Sequence, residues 1–178
     1  MWNPDTYIKA WNFASIAHGQ QFVPGTTIPY LNHVGLVAME VMTAITQCDH
    51  IASPDLAIAC ALLHDTLEDT NITYENLKSD FGQTVANGVL ALTKNKTLPK
   101  ETRMIDSLAR IKMQPPEIAM VKLADRITNL QPPPSHWSFG KINNYRNEAR
   151  TILIEIGSAN QYLRDRLRAK IECYGQHV

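Results

Sequence analysis

The sequence lacks any long apolar run. Although 44% of its 178 residues are hydrophobic, no stretch approaches the roughly 20 apolar residues that a membrane-spanning helix needs. The first residues, MWNPDTYIKAW, also lack the basic segment followed by an apolar segment that marks a secretory signal peptide. We therefore expect a soluble, cytoplasmic protein with no membrane as a partner.

Cysteine is scarce and widely spaced. Cys48, Cys60 and Cys173 form no CxxC pair, which argues against a disulfide framework and against a zinc knuckle. We expect reduced thiols, mostly buried. Low-complexity and glycine-rich tracts are also missing, and a chain of this length suffices for one well-buried core. We therefore expect one domain over residues 1–178.

The chain has no net charge, but its halves differ. Because the formal net charge is zero and the basic residues do not alternate with aromatic residues, we expect no nucleic-acid partner. Residues 1–93 carry two cations and nine acids, whereas residues 94–178 carry fifteen cations and eight acids. Two interpretations stay open: a small phosphorylated ligand bridges the two halves, or the halves simply dock on each other.

No segment alternates apolar and polar residues as a strand does, and apolar residues instead recur every three or four positions. Gly82 and the prolines of residues 19–30 and 131–140 interrupt this pattern. We predict an all-α helical bundle of about eight or nine helices with short loops. The predicted helices cover residues 4–18, 31–45, 54–65, 73–81, 84–93, 100–112, 116–130, 142–156 and 163–174.

Residues 57–70, AIACALLHDTLEDT, combine an apolar helical run with two polar pairs. At 3.6 residues per turn His64 lies beside Glu68, and Asp65 lies beside Asp69, so these side chains crowd one end of a buried helix. Three carboxylates beside an apolar run require a cation, since an uncompensated buried charge is costly. A divalent metal held by His64 and Asp65 supplies that charge. The alternative is a solvated helix end whose acids point outward.

Two further residues complete a metal-ligand pattern. His33 lies beside the apolar stripe of the second predicted helix, where a lone histidine is more often a core residue, and Asp125 lies on the helix that ends near Leu130. With His64 and Asp65 they form an H…HD…D set of two imidazoles and two carboxylates. This mixture suits Mn, Fe, Co, Ni or Zn rather than Ca or Mg. We predict a divalent transition metal, with Mn2+ as the first candidate.

These motifs resemble those of the HD-domain phosphohydrolases and, within that family, the hydrolase domain of the RelA/SpoT alarmone enzymes. AIACALLHDTLEDT is similar to the family's AALLHDxxEDT and VKLADRITNL to its IKLADRxxN, and AHGQ followed by PYLNHVGLVA is similar to its AHxGQ and PYxxHPxxVA. The resemblance runs from about Tyr7 to Tyr145. It implies a helical metal-dependent hydrolase that binds a phosphorylated nucleotide.

The resemblance also implies a role for each matched residue. The metal ligands would be His33, His64, Asp65 and Asp125. Glu68 and Asp69 would orient or deprotonate the attacking water, the alternative again being solvated acids at a helix end.

The predicted substrate contacts come from the same resemblance. NKTLPK is similar to DKTLPK of the small stand-alone alarmone hydrolases of the metazoan SpoT-homologue type, in which the lysine matched by Lys96 meets the pyrophosphate. The alternative for Lys94, Lys96 and Lys100 is an ordinary solvated charge run, and only Lys96 matches the family's lysine. The remaining predicted contacts are Tyr30 of the PYxxHP motif, Asn129 of the KLADRxxN motif, and Trp137, Lys141 and Tyr145, which keep the family's Trp, Arg, Tyr spacing with Lys in place of Arg.

One loop departs from the family pattern. After Gly19-Gln20 the family carries Arg and Lys that stack on guanine and hold phosphate, whereas this chain reads Gln21-Phe22-Val23-Pro24. Phe22 can stack on a base but brings neither charge nor hydrogen bonds. The other histidines match no family position and are expected at the surface: His50, His136 and His177.

We predict a metal-dependent phosphohydrolase that removes pyrophosphate from the 3′ position of a guanosine or adenosine alarmone such as ppGpp. No synthetase or regulatory segment follows the last predicted helix, so we expect degradation only. Two alternatives stay open: a hydrolase of another nucleotide phosphate ester, such as a nucleoside monophosphate or NADPH, and a metal-bound nucleotide sensor without turnover. The Glu68-Asp69 pair argues against the sensor, because binding alone requires no acid that activates water.

Overall fold

The computed structural model describes residues 1–48, 50–174 and 176, and helices form nearly all the regular structure there. Nine of the described α-helices have eight or more residues, and one has four, which confirms the predicted all-α fold. The helices are α1 (Pro4–His18), α2 (Leu31–Thr46), α3 (Pro54–Leu63), α4 (Thr66–Asp69), α5 (Tyr74–Phe81), α6 (Gln83–Leu92), α7 (Arg103–Lys112), α8 (Pro116–Asn129), α9 (Phe139–Ile156) and α10 (Gln161–Tyr174), with a 3-10 turn at Gly157–Ala159.

Local sequence explains most of the helix ends. The Asn3 side chain accepts a hydrogen bond from the backbone of Asp5 at the start of α1, and Pro4 occupies the first helical position. Thr73 and Asn76 form a reciprocal capping box at α5. Ser53 occupies the N-cap position of α3 but makes no side-chain cap hydrogen bond; its backbone N–H instead donates to Glu117 at 2.8 Å.

The helix expected to carry both the His64-Asp65 dyad and the acids after it is divided in the structure. α3 ends at Leu63, His64 and Asp65 form a turn, and α4 begins at Thr66. The buried Thr66 hydroxyl donates to the Leu63 carbonyl at 2.7 Å, which satisfies the acceptor where α3 ends. Glu68 and Asp69 therefore stand on a separate short helix, and the prediction of one continuous helix end is wrong.

α3 and α8 form the centre of the bundle. Every residue from Leu56 to Leu63 is buried, because α3 packs against α1, α2, α6 and α8. α8 in turn contacts α2, α3, α9 and α10. The C-terminal end of α3, the N-terminal part of α2 and the C-terminal part of α8 thus bring polar residues of three helices to one place.

Close packing also explains one glycine of α6. A Cβ atom added at Gly88 would lie 2.5 Å from Cδ1 of Ile118 and 2.9 Å from Sγ of Cys60, both shorter than ordinary van der Waals contacts. Gly88 therefore allows α6 to approach both α3 and α8.

Several surface expectations can be compared with the structure. All three cysteines are free thiols, but only Cys60 is buried, whereas Cys48 is half-buried and Cys173 is exposed, so the expectation of mostly buried thiols is wrong for Cys173. His50 and His136 are exposed, as expected, and His177 lies outside the described residues. Among the described helices, none is long and apolar enough to cross a membrane.

Candidate metal centre

Three predicted metal ligands converge from three parts of the bundle. His33 lies on α2, His64 directly follows α3, and Asp125 lies on α8. One ligand atom of each residue lies within 4.8 Å of those of the other two. The two histidines are 8% and 3% exposed, and the Asp125 side chain is 13% exposed. This is a buried set of two imidazoles and one carboxylate.

Asp65, the fourth predicted ligand, borders this set. Its Oδ2 lies 2.9 Å from Nε2 of His64 and 3.7 Å from Nε2 of His33. The hydroxyl of Tyr30 donates to the same oxygen at 2.5 Å. Asp65 is therefore adjacent to both histidines, but it does not belong to the group whose atoms all lie within 4.8 Å.

The orientation of His64 fits metal ligation. Its Nδ1 lies 2.8 Å from the carbonyl of Ala61, so Nδ1 donates there and Nε2 points toward Asp65. Nε2 is buried and makes no hydrogen bond of acceptable geometry, although the Asp65 oxygen is close. Metal-ligating histidines commonly donate their second N–H to a backbone carbonyl in this way. The buried group of His33, His64 and Asp125 therefore indicates a divalent metal.

The protonation states agree with this assignment. Burial raises the pKa of Asp125, but Lys122, whose Nζ lies 2.9 Å from Oδ2, and His64 lower it to about 2 overall. Burial also opposes ionisation of Asp65, yet His64 holds the pKa of that carboxyl well below its usual range. Both carboxylates are thus ionised at neutral pH and available to a cation.

The two histidines respond differently to the same surroundings. Burial and the neighbouring His64 lower the pKa of His33, which keeps its imidazole neutral. Burial lowers the pKa of His64 as well, but Asp65 and Asp125 raise it to about 9 overall. A divalent cation held by Nε2 of His64 would take the place of the proton there, so metal binding would be coupled to release of that proton.

Glu68 and Asp69 face the same cavity as His64, Asp65 and Asp125. The cavity has a volume of about 190 Å3 and is lined by Tyr30, His64, Asp65, Glu68, Asp69, Leu92, Lys94, Lys122, Asp125, Arg126, Asn129, Tyr145 and Glu148. The Glu68 side chain is 15% exposed. Asp69 is exposed as a whole residue. The partial desolvation of its carboxyl, together with the nearby charges of Asp65 and Glu68, raises its pKa. Acids of the first half of the chain here meet cations of the second half.

The HD domain family model matches residues 10–152, which is most of the sequence. This chain belongs to the HD-domain family. Its sequence is 34% identical to that of the guanosine-3′,5′-bis(diphosphate) 3′-pyrophosphohydrolase MESH1 of Xenopus tropicalis, and the match covers 90% of this chain and 89% of that protein. MESH1 of Homo sapiens is 32% identical, with 90% of both chains covered. The HD-domain chain is thus a phosphohydrolase related to the MESH1 enzymes.

Solved structures support the same fold. A structure described as a metazoan orthologue of SpoT that hydrolyses ppGpp superimposes with a TM-score of 0.84 at 24% identity, covering 98% of both chains. The lmo0812 protein of Listeria monocytogenes EGD-e gives a TM-score of 0.65 at 21% identity, covering 84% of this chain and 99% of that chain. These likenesses confirm the predicted HD-domain helical bundle.

The predicted substrate residues of this HD-domain protein fall into two groups. Tyr30, Asn129 and Tyr145 line the central cavity. The Asn129 side-chain amide donates to Oδ1 of Asp125, and the Tyr30 hydroxyl donates to Oδ2 of Asp65. Asn129 and Tyr30 therefore both form hydrogen bonds to predicted metal ligands.

The other predicted substrate residues lie in grooves beside the cavity. Lys96 lines a groove of about 710 Å3 with residues 17–21 and 68–71. Trp137 and Lys141 line a second groove of about 930 Å3, which shares Tyr145 with the cavity. The Lys141 ammonium lies 4.0 Å from the centre of the Trp137 ring, and the rings of Trp137 and Tyr145 are 5.4 Å apart.

Three cations of the cavity were not assigned a role from the sequence. Lys122 pairs with Asp125 three residues later on α8, a spacing that could have indicated it. Arg126 is 5% exposed, and its guanidinium lies 4.3 Å from the centre of the Tyr145 ring. Lys94, read as a solvated lysine, pairs with Glu68 at 3.2 Å, and no local signal predicts a contact between residues so far apart in sequence.

The loop that departs from the family pattern is attached to α4. The Gln21 side chain contacts His18 at 2.8 Å and donates to the carbonyl of Asp69. Phe22 forms an isolated antiparallel bridge with Pro29, and its side chain is 52% exposed. Phe22 is therefore placed on the surface beside the Lys96 groove rather than in the core.

Proposed function

We propose that this chain removes pyrophosphate from the 3′ position of a guanosine or adenosine alarmone such as ppGpp, acting in the cytoplasm. The observation that carries the proposal is one cavity in which His64 and Asp125, two members of the buried group that includes His33, lie beside the Glu68-Asp69 pair and several cations. Relatives named as guanosine-3′,5′-bis(diphosphate) 3′-pyrophosphohydrolases cover most of the chain, which supports the same choice of substrate.

We propose that His33, His64, Asp65 and Asp125 hold Mn2+, since two imidazoles and two carboxylates form a donor set that manganese accepts. A metal at this position lowers the pKa of a bound water and polarises a phosphoryl oxygen. Glu68 and Asp69 face the same space, and their role is to orient the water and accept its proton. The ammonium of Lys122 lies 2.9 Å from Oδ2 of Asp125 and favours the ionised form of that carboxylate.

The size of the cavity supports binding of the phosphate end alone. At about 190 Å3 it is smaller than the roughly 300 to 1,000 Å3 of typical ligand pockets, so the rest of the nucleotide must lie in an adjoining groove. Lys96 stands at the edge of one groove, with its Nζ 2.6 Å from the Glu68 carbonyl. Trp137 and Lys141 stand in the other. Lys96 and Lys141 would hold the diphosphate, and Asn129, Tyr145 and Tyr30 would line its path.

The reaction proposed is a hydrolysis. A water oxygen bonds to the phosphorus atom attached to the 3′ oxygen, and the bond from that phosphorus to the 3′ oxygen breaks. One proton of the water passes to the Glu68-Asp69 pair, and the 3′ oxygen takes up a proton as it leaves. The products are pyrophosphate and a nucleotide with a free 3′ hydroxyl.

The test is elemental analysis of the purified protein, together with phosphate and pyrophosphate release from a panel of nucleotides. The panel contains ppGpp, ppApp, nucleoside monophosphates and NADPH. The expected result is a bound transition metal and release of pyrophosphate from ppGpp or ppApp only. Release of phosphate from a nucleoside monophosphate or NADPH instead would overturn the substrate assignment, and tight nucleotide binding without any turnover would indicate a sensor.

A further inference from the structure

Both carboxylate oxygens of Glu68 are bound by a single residue. The backbone N–H of Lys94 donates to Oε2 at 3.0 Å, and the Lys94 ammonium lies 3.2 Å from Oε1. The two residues are 26 positions apart in sequence. The Glu68 side chain is 15% exposed and that of Lys94 is 41% exposed, so the pair lies at the wall of the cavity.

Hydrogen bonds from α7 hold the segment that carries Lys94. It directly follows α6, and Arg110 of α7 donates to the carbonyl of Thr93 at 2.8 Å. Arg103, also on α7, donates to the carbonyls of Lys96 and Leu98 at 2.9 Å each. The backbone on both sides of Lys94 is therefore fixed by α7.

The backbone of Glu68, the partner of Lys94, is also held in place. The backbone N–H groups of Glu68 and Asp69 donate to the carbonyl of Asp65 at 3.2 and 2.9 Å. The ammonium of Lys96 donates to the Glu68 carbonyl at 2.6 Å. Since both backbones are fixed, the orientation of the Glu68 carboxylate depends on its contact with Lys94.

The surrounding charges would otherwise repel this carboxylate. Asp65, Asp69 and Asp125 line the same cavity, and like charges at short range disfavour one another. The cations in that cavity besides Lys94 have other partners: Lys122 binds Asp125 and Arg126 binds Glu148. Lys94 is thus the cation that offsets the repulsion on Glu68.

We propose that Lys94 is a positioning residue, which holds the Glu68 carboxylate inside the cavity where it accepts a hydrogen bond from the attacking water. The inference rests on the proposed hydrolase function and assigns a residue of that same site. Misplacement of a catalytic group by about 1 Å can lower a rate on the order of a hundredfold. Lys94 therefore acts on turnover through Glu68, without touching the substrate.

The test compares Lys94→Met, Lys94→Arg, Glu68→Gln and the double variant Lys94→Met/Glu68→Gln. Lys94→Met keeps the backbone N–H and much of the side-chain length but removes the charge. Its kcat should fall by about 10-fold to 100-fold, with KM and metal content unchanged, and Lys94→Arg should restore most of the loss. In the Glu68→Gln background, Lys94→Met should have no further effect. Lys78→Met, an exposed lysine of α5, controls for loss of a positive charge.

Two kinetic results would overturn the inference. A raised KM with unchanged kcat in Lys94→Met would place the ammonium on the substrate, and additive losses in the double variant would show that Lys94 and Glu68 act independently. The same variants are measured on whichever nucleotide the panel identifies, so a wrong substrate leaves this test intact.

A crystal structure of Lys94→Met gives a result that does not depend on turnover. We expect the Glu68 carboxylate to leave the cavity. If it kept its place in the variant, the Lys94 ammonium would have no positioning role, whatever the protein hydrolyses.

Discussion

The hydroxyl of Tyr30 donates to Oδ2 of Asp65 at 2.5 Å, the same oxygen that lies 2.9 Å from Nε2 of His64. The Tyr30 ring lies between two imidazoles, with its centre 4.9 Å from that of His18 and 5.4 Å from that of His33. The sequence indicated a substrate contact for Tyr30, whereas this geometry gives it a bond to a predicted metal ligand. The two roles make different predictions.

Tyr30→Phe removes the donor and keeps the ring. Because hydrogen bonds to metal ligands orient them, their loss typically weakens metal binding by about 10-fold to 100-fold, and we expect a loss in that range with little change in KM. Calorimetric titration of the metal-free protein with Mn2+ measures it. Tyr74→Phe, which removes a hydroxyl bonded to Asn87 at 2.7 Å, is the matched control. Unchanged metal affinity with a raised KM would return Tyr30 to the substrate.

The ligand set should fail as a unit. His64→Ala removes the buried Nε2 from the predicted metal centre, and Asp125→Ala removes the carboxylate that α8 contributes to it. Each variant should therefore lose both bound metal and activity. Elemental analysis after gel filtration measures the metal, and the nucleotide assay measures the rate. His136→Ala removes an exposed imidazole and serves as the control. Metal content at the wild-type level in either variant would place the metal elsewhere.

Glu68→Gln separates metal binding from chemistry. The amide keeps the shape of the side chain but cannot accept a proton, so kcat should fall on the order of 100-fold, a usual scale for general acid-base catalysis. The metal should stay bound, because Glu68 lies outside the group of His33, His64 and Asp125. Glu75→Gln, an exposed acid of α5, is the control. If kcat at saturating metal matched the wild type, Glu68 would have no catalytic role.

The sequence predicted best what depends on local pattern. The bounds of α1 match because Pro4 and Gly19 mark its ends, whereas α7 begins at Arg103, later than predicted, because the Thr102 N–H bonds the Pro99 carbonyl in a turn. The break before α4 was missed, since helical periodicity continues through the His64-Asp65 turn.

The candidate site shows the same division between local and distant contacts. His33, His64 and Asp125 could be grouped from their motifs, and the structure brings them together. The contact of Lys94 with Glu68 joins residues 26 positions apart through the packing of α4 and α6. It therefore depends on the tertiary fold, which no short motif encodes.

Gly88 offers a test of the core beside the site. In Gly88→Ala the new methyl group would lie 2.5 Å from Ile118 and 2.9 Å from Cys60, and overpacking of this kind typically costs about 1 to 3 kcal/mol. We expect a loss of stability in that range by chemical denaturation. Gly140→Ala, where an added Cβ meets no atom within 4 Å, should be neutral or slightly stabilising. Equal stability of Gly88→Ala and wild type would show that α6 moves freely away from α3 and α8.

Phe22 determines the last prediction, which concerns the base. A stacked guanidinium adds charge and hydrogen bonds worth about 1 to 2 kcal/mol when desolvated, and Phe22 supplies neither. Discrimination between guanine and adenine should therefore be weaker by about tenfold than with an arginine. We expect kcat/KM values for ppGpp and ppApp near each other in the wild type, and a shift toward ppGpp in Phe22→Arg.

A direct competition between ppGpp and ppApp measures this shift, since both substrates then meet the same enzyme. Met113→Arg adds the same charge at an 83% exposed position after α7, so it separates base stacking from a general electrostatic effect. The phosphate end should be unaffected, because Lys96 and Lys141 stay in place. A wild type that strongly prefers ppGpp, with the same preference in Phe22→Arg, would assign base recognition to other residues and leave Phe22 without a role in it.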